Sequence, residues 1–336
     1  MGRQPPVVSD EALAVHRASI VVDLHADTPS LLRLGYDIGK RHTPPLPRAA
    51  LGVHVDLPRM REGGQCGQMF GLVSLPLRKG PAEVIHRQIT LVESAARSHP
   101  GELRVVRTAE EVEDAWRAGV RAALLSIEGA HALEGRLENV EEFARRGVRS
   151  LGLLHFSANA AGSPAHGRGA NPEQALTGFG KDLVTELDRL RILVDLAHIN
   201  RKGFLEAALL TKKPPIVSHT GVSGVHPHWR NIDDEQIRAV AAKGGCIGII
   251  FAPRFLGRAG ALGVVEHLLH VLRVGGEDTP ALGSDFDGLV TPPHDLRDPR
   301  YLPGLTEALL RRGLEPRIVT KILGGNFLRV LREVGP

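Results

Sequence analysis

Only two cysteines, Cys66 and Cys246, occur in this chain of 336 residues. That is too few for a disulfide scaffold, and it suits a reducing compartment in which both are small buried thiols. Aromatic residues make up 4%, so the core must come from Leu, Val, Ile and Ala. The same scarcity removes the basic stripe interleaved with aromatics that single-stranded nucleic acid binds. No stretch approaches the ~20 apolar residues of a membrane span, and the opening Met-Gly-Arg-Gln-Pro-Pro has no apolar segment of the secretory kind. Pro6 stands where a myristoylation signal wants Ser or Thr. Charge of one sign is also lacking: 42 basic residues face 38 acidic ones, for a net +4, and no basic run is present. These absences point to a soluble cytoplasmic protein that partners neither membrane nor nucleic acid.

What is present is an alternation. Hydrophobic residues make up 42%, and they collect in short continuous runs at 19–24, 68–75, 122–127, 149–154, 191–197, 215–218, 245–251 and 280–284. Continuous rather than alternating apolar runs fit parallel strands buried on both faces. Between them lie helical patterns at 81–98, 108–118, 138–146, 173–190, 201–211, 233–243 and 262–274. Repeated strand-then-helix units of this kind predict an α/β fold, a distorted (β/α)8 TIM barrel, with two or three additional C-terminal helices over 304–334. An open doubly wound sheet is the alternative, but no Gly-x-Gly-x-x-Gly follows the first strand. Residues 36–66 and 156–172 read as long loops over the barrel mouth. No repeat or linker divides the chain, so residues 1–336 are expected to form one domain.

In such a barrel, chemistry gathers where the strands end. The first strand delivers His25 and Asp27, two residues apart and therefore on the same side of an extended backbone. The third ends at Glu128, the fourth at His155, the fifth at His198, the sixth at His219 and the eighth at Asp285. One strand-end histidine is usually a hydrogen-bonded rim residue. Six strands of eight ending in metal-ligand or acid–base residues have no comparable structural explanation.

Four imidazoles and three carboxylates exceed the three protein ligands of a single catalytic zinc. They suit a pair of metals, which share a bridging group. A carboxylate can bridge through two oxygens and an imidazole cannot, so Glu128 is the natural bridge. His25 and Asp27 would complete one site, and His198 and His219 the other. Asp285 would orient the attacking water and carry its proton, and His155 would polarise a carbonyl or hold an oxyanion. Two Zn²⁺ fit this donor set, and Mn, Co or Fe would also be accepted. Residue types alone leave lactone, N-acyl, β-lactam and phosphoester hydrolysis open. A non-enzymatic binding protein would have no need of this complete ligand set.

Several stretches, taken together and in order, resemble one family. They are Asp23-Leu-His-Ala-Asp27, His54-Val-Asp-Leu-Pro-Arg59, Ser126-Ile-Glu-Gly129, His155, Asp195-Leu-Ala-His198, Ser218-His219, Arg230-Asn231, Gly283-Ser-Asp-Phe-Asp-Gly288 and Gly325-Asn-Phe-Leu-Arg329. The chain is similar to the zinc dipeptidases of the membrane (renal) dipeptidase type, peptidase family M19, within the amidohydrolase-like barrels. The resemblance implies metal-dependent hydrolysis of small dipeptides, including those with a C-terminal D-residue, by a protein that is often a homodimer. It implies His25, Asp27, bridging Glu128, His198 and His219 as metal ligands, with His155 and Asp285 in catalysis. It further implies Arg230 binding the dipeptide carboxylate, with His155 and Asn159 also touching substrate.

The chain departs from the family at the pocket walls. Asn159 is followed by Ala160-Ala161-Gly162 rather than Thr-Pro-Trp. Phe251-Ala252 stands where relatives carry Phe-Tyr, and Met69-Phe70 stands for Phe-Trp. A wider, less aromatic pocket is the expectation. Asp23 and Asp195 read as hydrogen-bond partners of ligands rather than ligands. His54 and Asp287 read as structural, and His226, His228 and Trp229 as a rim loop. His166 and Arg168 lie in a Gly-rich loop that either touches substrate or faces solvent.

Overall fold

Eight of the strands in the computed structural model, which describes residues 7–43, 52–74 and 80–336, join edge to edge into a closed parallel ring. They are β1 (Val21–Ala26), β2 (Gln65–Val73), β4 (Arg121–Glu128), β5 (Val148–Gly152), β6 (Leu193–Asp195), β7 (Ile216–Thr220), β8 (Cys246–Ile249) and β9 (Pro280–Leu282), with β3 (Leu103–Val105) outside the ring. β1 pairs with β2 and with β9. β2 pairs with β4, and β4 through β9 follow in chain order. Each strand of the ring is buried almost throughout, as continuous apolar runs require when helices cover one face and barrel-filling side chains the other. The fold is the expected (β/α)8 barrel.

Each of the eight expected strands is found. β3 was not expected: its three residues pair with the first residues of β4, along the edge that β5 takes up from Leu125 onward. A run so short carries no period to read. Helices occupy Pro81–Ser98, Ala109–Arg117, Glu138–Arg145, Arg201–Leu210, Asp234–Ala242 and Ala261–Gly275, close to the expected positions. The helix expected over 173–190 starts later, at Gly178–Arg189, because the Thr177 hydroxyl caps it by accepting from the Gly180 N–H.

The long loop expected over 36–66 is corrected. It contains a helix, Leu57–Glu62, and the start of β2. Asp56 caps that helix by accepting from the Arg59 N–H at 2.8 Å, and Pro58 sits in its first turn. Residues 44–51 of this segment, and Leu75 at the end of the expected second strand, lie outside the described residues.

The three C-terminal helices Leu302–Arg311, Pro316–Thr320 and Asn326–Val334 pack outside the barrel. Asn326 donates to the carbonyls of Glu277 and Pro280, Arg329 donates to the Gly244 carbonyl, and Phe327 is fully buried. The family-like Gly325–Arg329 stretch therefore ties the last helix to the segments leading into β8 and β9. Cys66 and Cys246 are both buried, and burial pushes their thiols up to about 11 and about 12. Among the described residues no helix is long and apolar enough to cross a membrane.

Candidate metal centre

Glu128, the last residue of β4, lies at the middle of the strand-end residues. Its Oε2 faces His25 Nε2 at 3.7 Å. Its Oε1 faces His198 Nε2 at 2.9 Å, His219 Nε2 at 3.4 Å and His155 Nε2 at 3.7 Å. On the first side, His25 Nε2 also lies 3.3 Å from Asp27 Oδ1 and 3.9 Å from Asp285 Oδ1. On the second side, His198 Nε2 and His219 Nε2 stand 2.8 Å apart. The seven residues form three overlapping ligand groups: His25, Glu128 and His219; Glu128, His155 and His198; and His25, Asp27 and Asp285. The structure thus brings together every residue that the strand ends nominated.

Local chain geometry differs from a simple i, i+2 pair. Asp27 lies past the end of β1 in a helical-type turn that starts Thr28–Leu32, yet its carboxylate still converges with His25. His198 and Asp285 lie three residues beyond β6 and β9, with φ of 66° and 62°. Left-handed φ at non-glycine residues costs ~1 kcal/mol or more and collects at functional sites.

Two buried aspartates hold these strained ends. Asp195 Oδ1 accepts from the N–H groups of Ala197 at 3.0 Å and Ser218 at 2.9 Å. It therefore ties the turn that carries His198 to the strand that carries His219. Asp23 accepts from the Ser284 N–H at 2.7 Å, from the Ser284 hydroxyl and from the His25 N–H, and so ties β1 to the Asp285 turn. Both act on backbone rather than on the imidazole rings. Asp287 exchanges bonds with His54: the His54 N–H donates to its carboxylate at 2.6 Å, and its own N–H donates to His54 Nδ1 at 3.0 Å. Thr28 donates to the other carboxylate oxygen.

Crowding and burial set the charges. Burial works to lower the His25 imidazole, but Glu128 and Asp27 outweigh it and hold it well above its ordinary value. Burial and the neighbouring Arg230 push His198 well below the usual histidine range, and burial, His25 and Arg230 do the same to His219. Burial works to raise Glu128, but His155 and His25 bring it well below the usual carboxylate range. Burial, reinforced by Asp27 and Glu128, raises Asp285 well above that range. Burial and Glu128 also raise Asp27.

The donor atoms fit a metal. His25 Nε2, Asp27 Oδ1 and Glu128 Oε2, which face one another, are buried without a hydrogen-bond partner, an arrangement rare among buried polar groups and costly without a cation. Gly71 on β2 opens the space. A Cβ there would lie 2.5 Å from Asp27 Oδ1 and 2.7 Å from His25 Cε1. Gly71 is not among the residues that the strand ends nominated, because β2 contributes the absence of a side chain.

A profile of the membrane dipeptidase family (peptidase family M19) matches residues 9–335. The chain belongs to this family. It is 31% identical over 335 residues to dipeptidase tcpJ of Claviceps purpurea (strain 20.1), covering 93% of this chain and 76% of that protein. The metallopeptidase dipeptidase AC, also of family M19, has a solved structure that superposes with a TM-score of 0.84 at 31% identity, over 94% of this chain and 98% of that one. A metallopeptidase from Rhodobacter sphaeroides, solved with a phosphinate mimic of the dipeptide L-Ala-D-Ala, superposes at 0.82 with 29% identity, over 94% and 99%. The chain is therefore a hydrolase of the M19 dipeptidase type, and the family implies a metal.

Of the expected substrate contacts, Arg230 is buried beside the centre. Its guanidinium donates to the His219 carbonyl at 2.6 Å and reaches His198 Nε2 at 3.3 Å. Asn159 lies in the loop after His155, where its amide donates to the Leu153 carbonyl at 2.9 Å and accepts from the Ala161 N–H at 2.8 Å. Aromatic rings stand near the centre. Phe156 lies against the rings of His155 and His198 at 4.5 and 4.9 Å, and Trp229 stacks on His166 at 4.2 Å. These rings come from positions other than those compared in the sequence.

Proposed function

We propose that this chain hydrolyses dipeptides with two zinc ions, one held by His25 and Asp27, the other by His198 and His219, with Glu128 shared between them. The supporting observation is the division of the Glu128 carboxylate, one oxygen toward His25 and the other toward His198 and His219. Imidazole mixed with carboxylate suits zinc, and Mn, Co or Fe would fit the same donors. When bound, the two ions would acidify a shared water and polarise the scissile carbonyl.

The chain's own residues do the rest. Arg230 pairs with the C-terminal carboxylate of the substrate, and its existing bond to the His219 carbonyl fixes the guanidinium in place. Asp285 takes the proton of the attacking water and passes it to the leaving amine. The His155 ring donates to the oxygen of the tetrahedral intermediate. Burial of these groups excludes bulk water and strengthens each interaction.

The test is amino-acid release from L,L- and L,D-dipeptides by zinc-loaded protein, with Glu128→Gln as control. The L-Ala-D-Ala mimic in the Rhodobacter sphaeroides relative makes Ala-Ala the first pair to try. Release that disappears in the control, along with bound metal, is expected. Full activity in Glu128→Gln would overturn the bridging role, and no release from metallated wild type would overturn the dipeptide.

A further inference from the structure

Two loops meet beside His198. The first, 156–169, is pinned by backbone: Arg168 donates to the Phe156 carbonyl at 3.0 Å, and Ala165 donates to the His198 carbonyl at 2.7 Å. The second, 222–232, carries Arg230 and closes through the Ser223 N–H, which donates to the Ile232 carbonyl at 2.8 Å. The side chains that cross between them are His166 and Trp229, with ring centroids 4.2 Å apart and planes 25° apart. Phe255 and His228 flank the indole at 5.8 and 5.0 Å.

Trp229 is 37% exposed, so its ring still offers surface to a ligand. It borders a cavity of about 170 Å³ that His198, His228 and Arg230 also line and that runs back toward Arg201, Asp233 and Gln236. Arg230 and Trp229 thus border one cavity, a guanidinium beside an aromatic wall. Anchored aromatics lose little conformational entropy when they line such a pocket.

We infer that Trp229, clasped by His166, is a specificity-determining residue that limits the side chain accepted at the substrate's C-terminal residue. This rests on the dipeptidase reading and on Arg230 as the carboxylate partner. With the carboxylate held by Arg230, the C-terminal side chain is the part of the substrate nearest the indole. The N-terminal residue lies across the scissile bond. His166 fixes where the wall stands by joining the two loops.

Two measurements on the zinc-loaded enzyme test this together. In the first, kcat/KM is measured for Ala-X and X-Ala series with X as Gly, Ala, Leu and Phe, in wild type, Trp229→Ala, Trp229→Phe and His166→Ala. Trp229→Ala should raise the Phe-to-Ala ratio in the Ala-X series about tenfold, the scale of one pocket wall. It should leave the X-Ala ratio within about twofold, His166→Ala should shift the same way by less, and Trp229→Phe should restore most of the wild-type ranking. Equal shifts in both series, or none, would overturn the inference.

The second measurement does not need turnover. The chain has two tryptophans, and Trp116 lies on the helix just before β4, at the opposite end of the barrel. In Trp116→Phe, emission comes from Trp229 alone. Added phenylalanine should shift it saturably and phenylalaninamide should not. An unmoved signal with phenylalanine would overturn the inference even if dipeptides are cleaved. A shift in an enzyme that cleaves no dipeptide would support the wall and overturn the substrate class.

Discussion

Replacing Asp195 with Ala should destabilise the metal-free protein by about 2–6 kcal/mol. One oxygen of this buried carboxylate accepts from both the Ala197 and the Ser218 N–H. Alanine leaves two buried donors without partners, at about 1–3 kcal/mol each. Against a total stability of about 5–15 kcal/mol that is a large loss. Asparagine has the same shape and retains an oxygen at the accepting position, so Asp195→Asn should cost much less. It also removes a buried charge whose pKa burial raises. The assay is urea unfolding of metal-stripped wild type and both variants, with the slope m compared to verify that the same transition is followed. Zinc affinity should fall in Asp195→Ala, because the turn carrying His198 loses its tie to the strand carrying His219. An alanine variant as stable as wild type, or an asparagine variant as damaged as the alanine one, would refute the reasoning.

Three further outcomes follow from particular contacts. Gly71→Ala should cut metal affinity sharply while leaving the fold intact, since the added methyl would meet Asp27 and His25 at 2.5–2.7 Å; isothermal titration with zinc alongside circular dichroism checks it. Arg230→Ala should mainly raise KM for dipeptides with a free carboxylate, measured beside their C-terminal amides, and an equal effect on both would count against carboxylate binding. Stability should fall as pH drops from 6.5 toward 4, in part through His267. Its Nδ1 accepts from the Val222 N–H, and burial above all pushes the ring down to about 4. The unfolded chain takes up this proton near pH 6.5 and the folded chain only near pH 4, so protonation favours unfolding across that window. The difference of about 2.5 pKa units corresponds to about 3 kcal/mol. His267→Gln should flatten that part of a urea-midpoint profile against pH.

The barrel was legible because its strands are buried on both faces, so each apolar run announces itself without periodicity. The ligands were legible because a parallel barrel presents its strand ends at one level, and His25, Glu128, His219 and their neighbours end those strands. What escaped had no pattern to show. β3 is three residues long, and the Leu57–Glu62 helix is signalled only by the Asp56 cap and Pro58. Gly71 acts by lacking a side chain. Asp23 and Asp195 were read as hydrogen-bond partners of the ligand residues; that they do so through N–H groups on neighbouring strands depends on register, which the sequence does not show. The His166–Trp229 stack joins two loops distant in sequence, which no local motif records.

The proposal that Glu128 joins two metal sites into one hydrolytic centre is tested by stepwise addition of zinc to metal-stripped protein while Ala-Ala hydrolysis is followed. Activity should rise to a plateau at two equivalents per chain. A plateau at one equivalent, or full zinc occupancy with no hydrolysis, would contradict it.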